Sequence, residues 1–435
     1  MNGLTLGAIY NMSLNWAPTE LAYAIAYGAT NGIGPCPGTN SVARNLVYSS
    51  LASYFNLTSP PPNRIELSDN VGAERYTSVR VPHQRKSFYG QGRWWVFYAA
   101  VVGESNYNLS YVTSHDNGLS FSVPTLVTTV PFVDASWALK YDSGRTNLHF
   151  IRIKGTTSPV YSGLEYRLGV PATDGTIAWN GASWQQVNAL GNYTADPSVE
   201  VDSSGNVWTA WGNGNTTANT LVNKNSATDG TWANASGFPV TLTSSADGRM
   251  ALLASLTNGM DAVTYKFAST NTQAISYVFT NGDNSFSSEG NVTDTNVNAT
   301  IGTYAGVGRI SCASSNGVVI LTYQDTNQVI HVKSRGGDGT WGSETILASG
   351  VNTESSPQVA LNGSEVVVVW GDPGKGGIYW SYNNGSWSSV SNYSCGIIAP
   401  SYEHVLIPQE CNGTSMLLEW LTAGYETAVK VVPYR

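Results

Sequence analysis

The stretch SSPQVALNGSEVVVVWGDPGKGGIYWSYNNGSWSSV, residues 355–390, contains the pattern that decides the fold. Asn362-Gly363 and Asn384-Gly385 are typical hairpin turns, and they separate short runs rich in β-branched and aromatic residues. The run EVVVVWG between them is almost continuously apolar, as expected of a strand that is covered on both faces. This stretch therefore predicts hairpin-connected strands that lie inside a stacked β-structure.

The same pattern returns at intervals of about 50 to 60 residues, a period typical of propeller blades. Equivalent passes begin near Val79, Asp134, Asp196, Arg249, Arg309, Pro357 and Glu403. The second strand of each pass is, in order, RWWVFYAAVV, NLHFIRI, NVWTAWG, DAVTYKFA, GVVILTYQ, EVVVVWG and SMLLEWL. We predict an all-β fold, a β-propeller of about seven four-stranded blades, with six blades as the main alternative.

The seventh pass, near the C-terminus, provides only three strands. An open sheet edge would leave backbone groups unpaired, and propellers commonly close their ring with strands from both ends of the chain. The run NRIELS, residues 63–68, is the candidate for the closing strand. We therefore divide the chain into an irregular N-terminal extension, residues 1–62, that is a candidate assembly or docking segment, and a β-propeller, residues 63–435.

The segment SHDNGLSF, residues 114–121, is the best defined of a series of similar turns. In such a turn the aspartate accepts backbone N–H bonds, the glycine takes a positive φ, and the aromatic residue packs beneath. Eroded copies are SATDGTW, GGDGTW, TNGDNSF, WNGASW and YNNGSW. The residues to which we assign this structural role are Ser114, Asp116, Gly118, Phe121, Asp229, Trp232, Asp338 and Trp341. A single Asp-Gly pair would be an ordinary turn, and the periodic placement is what distinguishes the series.

These turns resemble the Asp-box (BNR) repeats of sialidase-like β-propellers. Asp boxes lie on the blade rim, away from the active site, and they occur in catalytic and non-catalytic members, so the resemblance implies a fold and not an activity. In sialidases three arginines from different blades hold the substrate carboxylate. The resemblance implies that Arg80, within VRVP, together with Arg249 and Arg309 forms an anion or ligand site at the central funnel. The alternative is that each arginine pairs with a neighbouring acid or faces solvent.

The catalytic set of the sialidases, a tyrosine with its glutamate and an acid/base aspartate, cannot be placed in this sequence. Glu104 is the only acid near the expected aspartate position, and the adjacent pairs Glu165-Tyr166 and Tyr402-Glu403 would point to opposite faces of a strand. The catalytic residues are therefore unknown, and a protein without enzymatic activity is favoured. The five histidines lack metal-ligand spacing and no cofactor fingerprint occurs, so we expect no metal and no cofactor.

The composition indicates a protein that works outside the cell. Charged residues make up only 11% of the chain, the net charge is -8, and no apolar stretch approaches the roughly 18 residues of a membrane span. These features argue against nucleic acid as a partner. Four cysteines favour disulfides, with Cys395 and Cys411 as the preferred pair, although four free buried thiols are the alternative. Candidate glycosylation sites among twelve sequons are Asn108, Asn192, Asn234, Asn362 and Asn384.

The leading functional hypothesis is a non-catalytic extracellular propeller for recognition or assembly at a cell or virion surface, which binds glycans or proteins through Tyr- and Trp-rich loops. One alternative is a sialidase-like glycoside hydrolase or lyase that acts on an anionic sugar. The other is a structural subunit of a filament or capsid that self-assembles through its N-terminal extension.

Overall fold

The structure is a computed structural model that describes sixteen segments of the chain. These are residues 65–67, 84–102, 106–131, 136–157, 160–181, 183–188, 194–213, 219–243, 248–266, 273–280, 283–298, 309–352, 355–372, 375–394, 405–421 and 427–435. Several predictions concern residues outside these segments, namely the extension 1–62, Arg80, Glu104, Asn192, Cys395, Tyr402 and Glu403.

The described segments form twenty-nine β-strands. In chain order they are β1 Ile65–Glu66, β2 Ser87–Gly90, β3 Arg93–Val102, β4 Asn106–Ser114, β5 Thr125–Pro131, β6 Trp137–Asp142, β7 Asn147–Thr157, β8 Val160–Pro171, β9 Ile177–Trp179, β10 Gln185–Asn188, β11 Thr194–Val201, β12 Val207–Asn213, β13 Asn219–Lys224, β14 Val240–Thr243, β15 Gly248–Leu256, β16 Gly259–Lys266, β17 Ile275–Thr280, β18 Phe286–Asn291, β19 Ile310–Ser315, β20 Val318–Gln324, β21 Ile330–Arg335, β22 Thr345–Ala348, β23 Gln358–Asn362, β24 Glu365–Asp372, β25 Gly377–Asn383, β26 Ser391–Ser394, β27 Val405–Leu406, β28 Ser415–Leu421 and β29 Thr427–Pro433.

The strands pair into seven antiparallel sheets, which are the seven blades of a β-propeller. Blades 1 to 6 begin at β2, β6, β11, β15, β19 and β23, and each uses consecutive strands. In blade 2 the outer position is shared by β9 and β10, which both pair with β8. The first strands of blades 1 to 6 contact one another in succession around the axis. The prediction of seven blades is confirmed, and the six-blade alternative is wrong.

The predicted second strands of all seven passes are second strands in the structure. Packing in β24 explains their continuous apolar character. Val367 and Val369 pack in a cluster shared with blade 7, whereas Val368 and Trp370 pack in a cluster shared with blade 5. Because each blade is covered on both sides, residues on both faces of its strands must be apolar.

The N-terminal strand closes the ring, as predicted from NRIELS. Strand β1 pairs antiparallel with β29, with Ile65 opposite Val429, and becomes the fourth strand of blade 7. Ile65 and Leu67 are buried in the cluster between blades 7 and 1, together with Trp94 and Leu417. The closing strand therefore satisfies the backbone edge of β29 and contributes apolar contacts on both sides of the joint.

Blade 1 differs from the prediction at its start. Its first strand begins at Ser87 and not near Val79. The turn Gln91-Gly92, with positive φ at both residues, sets the register in which Gly90 is opposite Arg93. Since the hairpin must turn there, the strand that pairs with β3 is SFYG, and VRVP precedes it.

The turn of residues 114–121 joins the third and fourth strands of blade 1. Ser114 Oγ donates a hydrogen bond to Asp116 Oδ1 at 2.7 Å, and the same oxygen accepts from the Ser120 N–H at 2.9 Å. Gly118 has a φ of 82° and donates its N–H to Ser114 Oγ at 2.8 Å. Phe121 packs against the cluster between blades 7 and 1.

Three further turns at the same place in their blades share one Asp-Gly-Thr sequence. Asp229 and Asp338 each accept a hydrogen bond from the backbone N–H of the threonine two residues later, at 2.9 and 3.0 Å. The aromatics that follow, Trp232 and Trp341, pack against inter-blade clusters. The third turn, at Asp174, uses the same bond at 2.9 Å and was not singled out from the sequence. The relation to the Asp-box family remains a prediction.

The predicted disulfide is not formed in this structure. Cys411 is a free cysteine, and its partner Cys395 lies outside the described residues. The Cys411 side chain packs against the apolar cluster between blades 6 and 7, while its backbone N–H bonds to the carbonyl of Leu361 at 2.9 Å. This packing buries the thiol in an apolar cluster and raises its pKa to about 12. Within the described segments no helix is long and apolar enough to cross a membrane.

Candidate functional site

The segment Gln84–Lys86 enters the propeller just before β2 and connects blades across its axis. Gln84 Nε2 donates hydrogen bonds to Ser136 Oγ at 2.7 Å and to the carbonyl of Pro197 at 3.0 Å. Lys86 Nζ lies 3.6 Å from the centre of a Trp137 ring and donates to the carbonyl of the same residue. These contacts tie the entry of blade 1 to blades 2 and 3.

Arg85 reaches the opposite side of the ring. Its guanidinium donates to the carbonyl oxygens of Cys312, Val359 and Ile407 at 3.0, 2.7 and 3.2 Å, in blades 5, 6 and 7. It also donates to Gln358 Oε1 at 3.2 Å. Complete burial lowers the pKa of Arg85 to about 10, because neutral oxygen acceptors compensate the lost hydration only in part. Arg85 therefore links blade 1 to blades 5, 6 and 7 across the central channel.

A cavity of about 410 Å³ opens on the axis beside Arg85. We call it the axial pocket. Its wall is made by the ends of the first strands and the turns that follow them in blades 2, 3, 4 and 5, with Glu410 of blade 7. Since the first strands surround the axis, their ends bring together residues from four separate blades.

A charged network lies in the wall of the axial pocket. Lys140 Nζ forms an ion pair with Glu200 Oε1 at 2.7 Å and donates to Gln409 Oε1 at 2.7 Å. Gln409 Nε2 in turn donates to the second oxygen of Glu200 at 3.1 Å. The three side chains thus bond to one another in a closed set where blades 2, 3 and 7 meet.

Three of the four remaining charged residues of the pocket, Asp142, Arg145 and Asp202, are also engaged. Arg145 pairs with Asp142 at 2.9 Å. Asp202 accepts hydrogen bonds from Trp208 Nε1 at 2.9 Å and from the backbone N–H of Asn206 at 2.8 Å. These bonds hold both carboxylates at fixed positions in their turns.

Small polar side chains make up much of the remaining lining. The hydroxyl groups belong to Ser143, Ser203, Ser255, Thr257, Ser314 and Ser315. Asn316 and Gly317 complete the turn of blade 5 with φ values of 52° and 79°, as a two-residue hairpin of this type requires. The Ser314 Oγ atom is buried and has no hydrogen-bond partner among the described residues. Its residue lines the pocket, but this oxygen is covered by protein atoms and does not face the pocket.

The electrostatics of the axial pocket favour a ligand without negative charge. Its lining has four carboxylates, Asp142, Glu200, Asp202 and Glu410, and two cations, Lys140 and Arg145. Both cations already contact a carboxylate. The lining therefore offers hydroxyl and amide groups, which can both donate and accept, and it offers no uncommitted cation to an anion.

The three arginines predicted to form an anion site are not brought together by the described residues. Arg80 lies outside them, and Arg249 is in β15 with a side chain that is not described. Arg309 is fully buried directly before β19, where its carbonyl accepts from the N–H of Gln324 at 2.8 Å. It lies at the beginning of that strand, whereas the axial pocket is at the strand's end. The anion site remains a prediction.

Sequence reasoning missed the axial pocket. Its lining comes from the turns YDSGR, VDSSGN, LTNG and SSNG, which contain no motif that predicts a site. Their shared content of Asp, Ser, Asn and Gly at the end of each first strand was the available signal. In a propeller, equivalent turns of successive blades must face the same side of the ring.

Four of the candidate glycosylation sites lie in the described segments. Asn384 is exposed in its turn, and Asn234 is exposed with its Oδ1 accepting from Trp232 Nε1 at 2.8 Å. Asn108 accepts from Thr129 Oγ1 at 2.8 Å. Asn362 uses its amide nitrogen to donate to the carbonyl of Gly413 at 2.7 Å, so a glycan there would replace a bond between blades 6 and 7.

Comparisons with known proteins identify the fold. No family model and no curated protein sequence matches the chain. A structural match is the BP39L lectin from Burkholderia pseudomallei, with a TM-score of 0.55 and 11% identity over 82% of this chain and 97% of the lectin. The polysaccharide lyase Uly1 matches with a TM-score of 0.49 and 10% identity over 86% and 97%. The phage phi92 endosialidase matches with 0.42 and 9% over 84% and 69%. At these identities the similarity shows the propeller fold alone.

Proposed function

We propose that this protein is a non-catalytic carbohydrate-binding propeller and that the axial pocket holds a neutral sugar. The observation that carries the proposal is a pocket lined by hydroxyl groups whose cations are already neutralised. A volume of about 410 Å³ falls within the roughly 300–1,000 Å³ of typical small-molecule sites. Sugars present many hydroxyl groups, and a wall of hydroxyls and an amide can pair with them in either direction.

The proposed setting is outside the cell. Low charge content and twelve sequons support it, and exposed Asn384 and Asn234 are the sites at which a glycan would disturb the fold least. A secreted or surface-bound propeller of this kind would present the axial pocket to glycans of a partner surface. A virion surface is equally consistent with this proposal.

The test compares two serines that share one property. Ser143 lines the axial pocket in a turn of blade 2, Ser386 lies in a turn of blade 6 outside the pocket, and both residues are exposed. Loss of either exposed hydroxyl should leave stability nearly unchanged. We expect Ser143→Ala to weaken the neutral glycan selected on an array about fivefold, the value of one hydrogen bond of about 1 kcal/mol. Ser386→Ala should bind like the wild type.

Titration calorimetry on the full chain gives the affinities. Absence of any neutral glycan ligand, or equal affinities for the two variants, contradicts the proposal. The hydrolase alternative is tested in the same preparation with fluorogenic sialosides and uronides, where turnover that Arg309→Ala abolishes would replace our proposal. The axial pocket lends that alternative no support, since its carboxylates outnumber its cations.

A further inference from the structure

A second cluster of polar and aromatic side chains lies on the outer part of blade 2, where it faces blade 1. We call it the blade 1–2 groove and define it by Arg152, Lys154, Glu165, Arg167, Trp179 and Trp184. Arg152 Nη1 donates to Thr128 Oγ1 of blade 1 at 3.2 Å, so the groove is shared by two blades. It is separate from the axial pocket, whose lining has none of these residues.

The groove is positively charged in a chain of net charge -8. It has three cations and one carboxylate, Glu165. Arg152 and Lys154 both pair with that carboxylate, at 2.8 and 3.1 Å. One negative charge is therefore divided between two cations, and the third cation, Arg167, has to be considered separately.

Arg167 makes no ion pair with a described residue. Its Nη2 donates to the carbonyl of Gly181 at 3.1 Å, and its Nε is buried without a hydrogen-bond partner. Its Nη1 is not among the buried atoms and makes no hydrogen bond with a described residue, so an incoming acceptor can bond to it. A carboxylate or sulfate suits this group, because charge-assisted hydrogen bonds to a guanidinium are strong.

Two tryptophans position the arginines. The Arg152 guanidinium lies 3.9 Å from the centre of a Trp184 ring, and the Arg167 guanidinium lies 4.9 Å from a Trp179 ring. Both indoles are half-buried. A guanidinium stacked on a ring keeps its N–H groups in its own plane, directed past the ring edge. The exposed parts of the indoles add apolar surface of the kind that the C–H face of a sugar contacts.

We propose that the blade 1–2 groove binds an acidic saccharide, with its carboxylate or sulfate at Arg167 and its ring against the tryptophans. The proposal does not rest on the axial pocket, which takes an uncharged ligand. The two sites would allow the protein to engage a mixed glycan at a neutral residue and at an acidic residue.

The experiment uses two probes that differ at one group. Methyl β-D-glucuronide has a carboxylate where methyl β-D-glucoside has a hydroxymethyl group. By ligand-observed NMR on the full chain at low salt, we expect the glucuronide to bind at least about tenfold more tightly, as one charge-assisted contact provides. Raising the salt concentration should reduce this preference.

Variants assign the preference to the groove. Arg167→Gln should weaken the glucuronide about tenfold and leave the glucoside unchanged. Lys375→Gln removes the same charge from blade 6, where the side chain is exposed and pairs with Asp372, and it should behave like the wild type. Arg167→Lys, which keeps the charge but not the planar guanidinium, is the second variant if Arg167→Gln does not fold, and it should weaken the glucuronide severalfold.

Equal binding of the two glycosides overturns the proposal, as does a preference that survives Arg167→Gln. An equal loss in Lys375→Gln also overturns it, because the effect would then be one of overall charge. The two sites can fail separately. Ser143→Ala should leave glucuronide binding intact, and Arg167→Gln should leave the neutral glycan of the axial pocket bound.

Discussion

Replacing Arg85 with methionine should lower the stability of the whole ring. The guanidinium bonds to the carbonyl oxygens of Cys312, Val359 and Ile407, in three different blades. Methionine fills a similar volume but leaves these oxygens without that donor. Bonds from a charged donor contribute about 1.5–3 kcal/mol each, and relief from burying an unpaired cation offsets part of the loss. We expect a net loss of about 3 kcal/mol.

This loss converts into a modest change in melting temperature because the protein is large. An unfolding entropy of about 2.1 cal/mol/K per residue corresponds to roughly 0.9 kcal/mol/K for 435 residues. The expected decrease is therefore about 3 °C at pH 7, measured by differential scanning calorimetry. Guanidinium unfolding gives an independent value of the free energy.

The matched control for Arg85→Met is Arg93→Met. Arg93 begins β3, is half-buried, and its Nε donates to the carbonyl of Thr173 at 2.6 Å. Its replacement should cost less than about 1 kcal/mol. If Arg85→Met melts together with the wild type, or no lower than Arg93→Met, the axial hydrogen bonds do not hold the blades together and our reasoning about the channel is wrong.

Three further predictions follow from particular residues. Burial raises the pKa of Asp261 to about 7, so the folded state binds its proton more tightly than the unfolded state does, and stability falls as pH rises from about 4 to 7. Asp261→Asn keeps an acceptor for Ser276, so in urea titrations it should be as stable as the wild type near pH 4 and more stable at pH 8, by at most about 4 kcal/mol. Equal stability of the two proteins at pH 8 refutes this prediction. Deletion of residues 1–67 removes β1 and should cause aggregation in size-exclusion chromatography with light scattering, whereas deletion of 1–62 keeps β1 and should remain monodisperse; identical elution contradicts the role of β1. Asp116→Ala should lower the free energy of unfolding in urea by about 1–2 kcal/mol. Asp338→Ala should lower it by less, because among the described residues the Asp338 carboxylate accepts hydrogen bonds only from Thr340; the reverse order would show that the turn bonds do not matter.

The architecture could be predicted because each blade repeats one local pattern. A continuous apolar run such as EVVVVWG indicates that both faces of its strand are buried, and neighbouring blades cover both faces in the same way throughout the ring. The closing strand was predictable for the same reason, since a three-stranded last pass requires a partner. The start of blade 1 was not, because the turn Gln91-Gly92 lacks the Asn-Gly or Asp-Gly signal of a hairpin.

The sites could be predicted much less well, because they bring together residues whose spacing in the sequence does not follow the blade repeat. Gln409 meets Lys140 and Glu200 from the far end of the chain. Arg167 and Trp179 belong to one blade, but their place in a groove depends on how blade 1 stacks beside it. The resemblance to sialidases directed attention to Arg309 at the beginning of its strand, whereas the described cavity is at the opposite end.

The pairing of β1 with β29 also determines when the protein can complete its folding during synthesis. Ile65 is synthesised long before its partner Val429. Blades 1 to 6 consist of consecutive strands and can form as they emerge, whereas the joint must wait until β29 has been made. A polypeptide that ends before β29 would have an open ring and an unpaired, apolar β1. Chaperones and proteases would therefore recognise prematurely terminated chains.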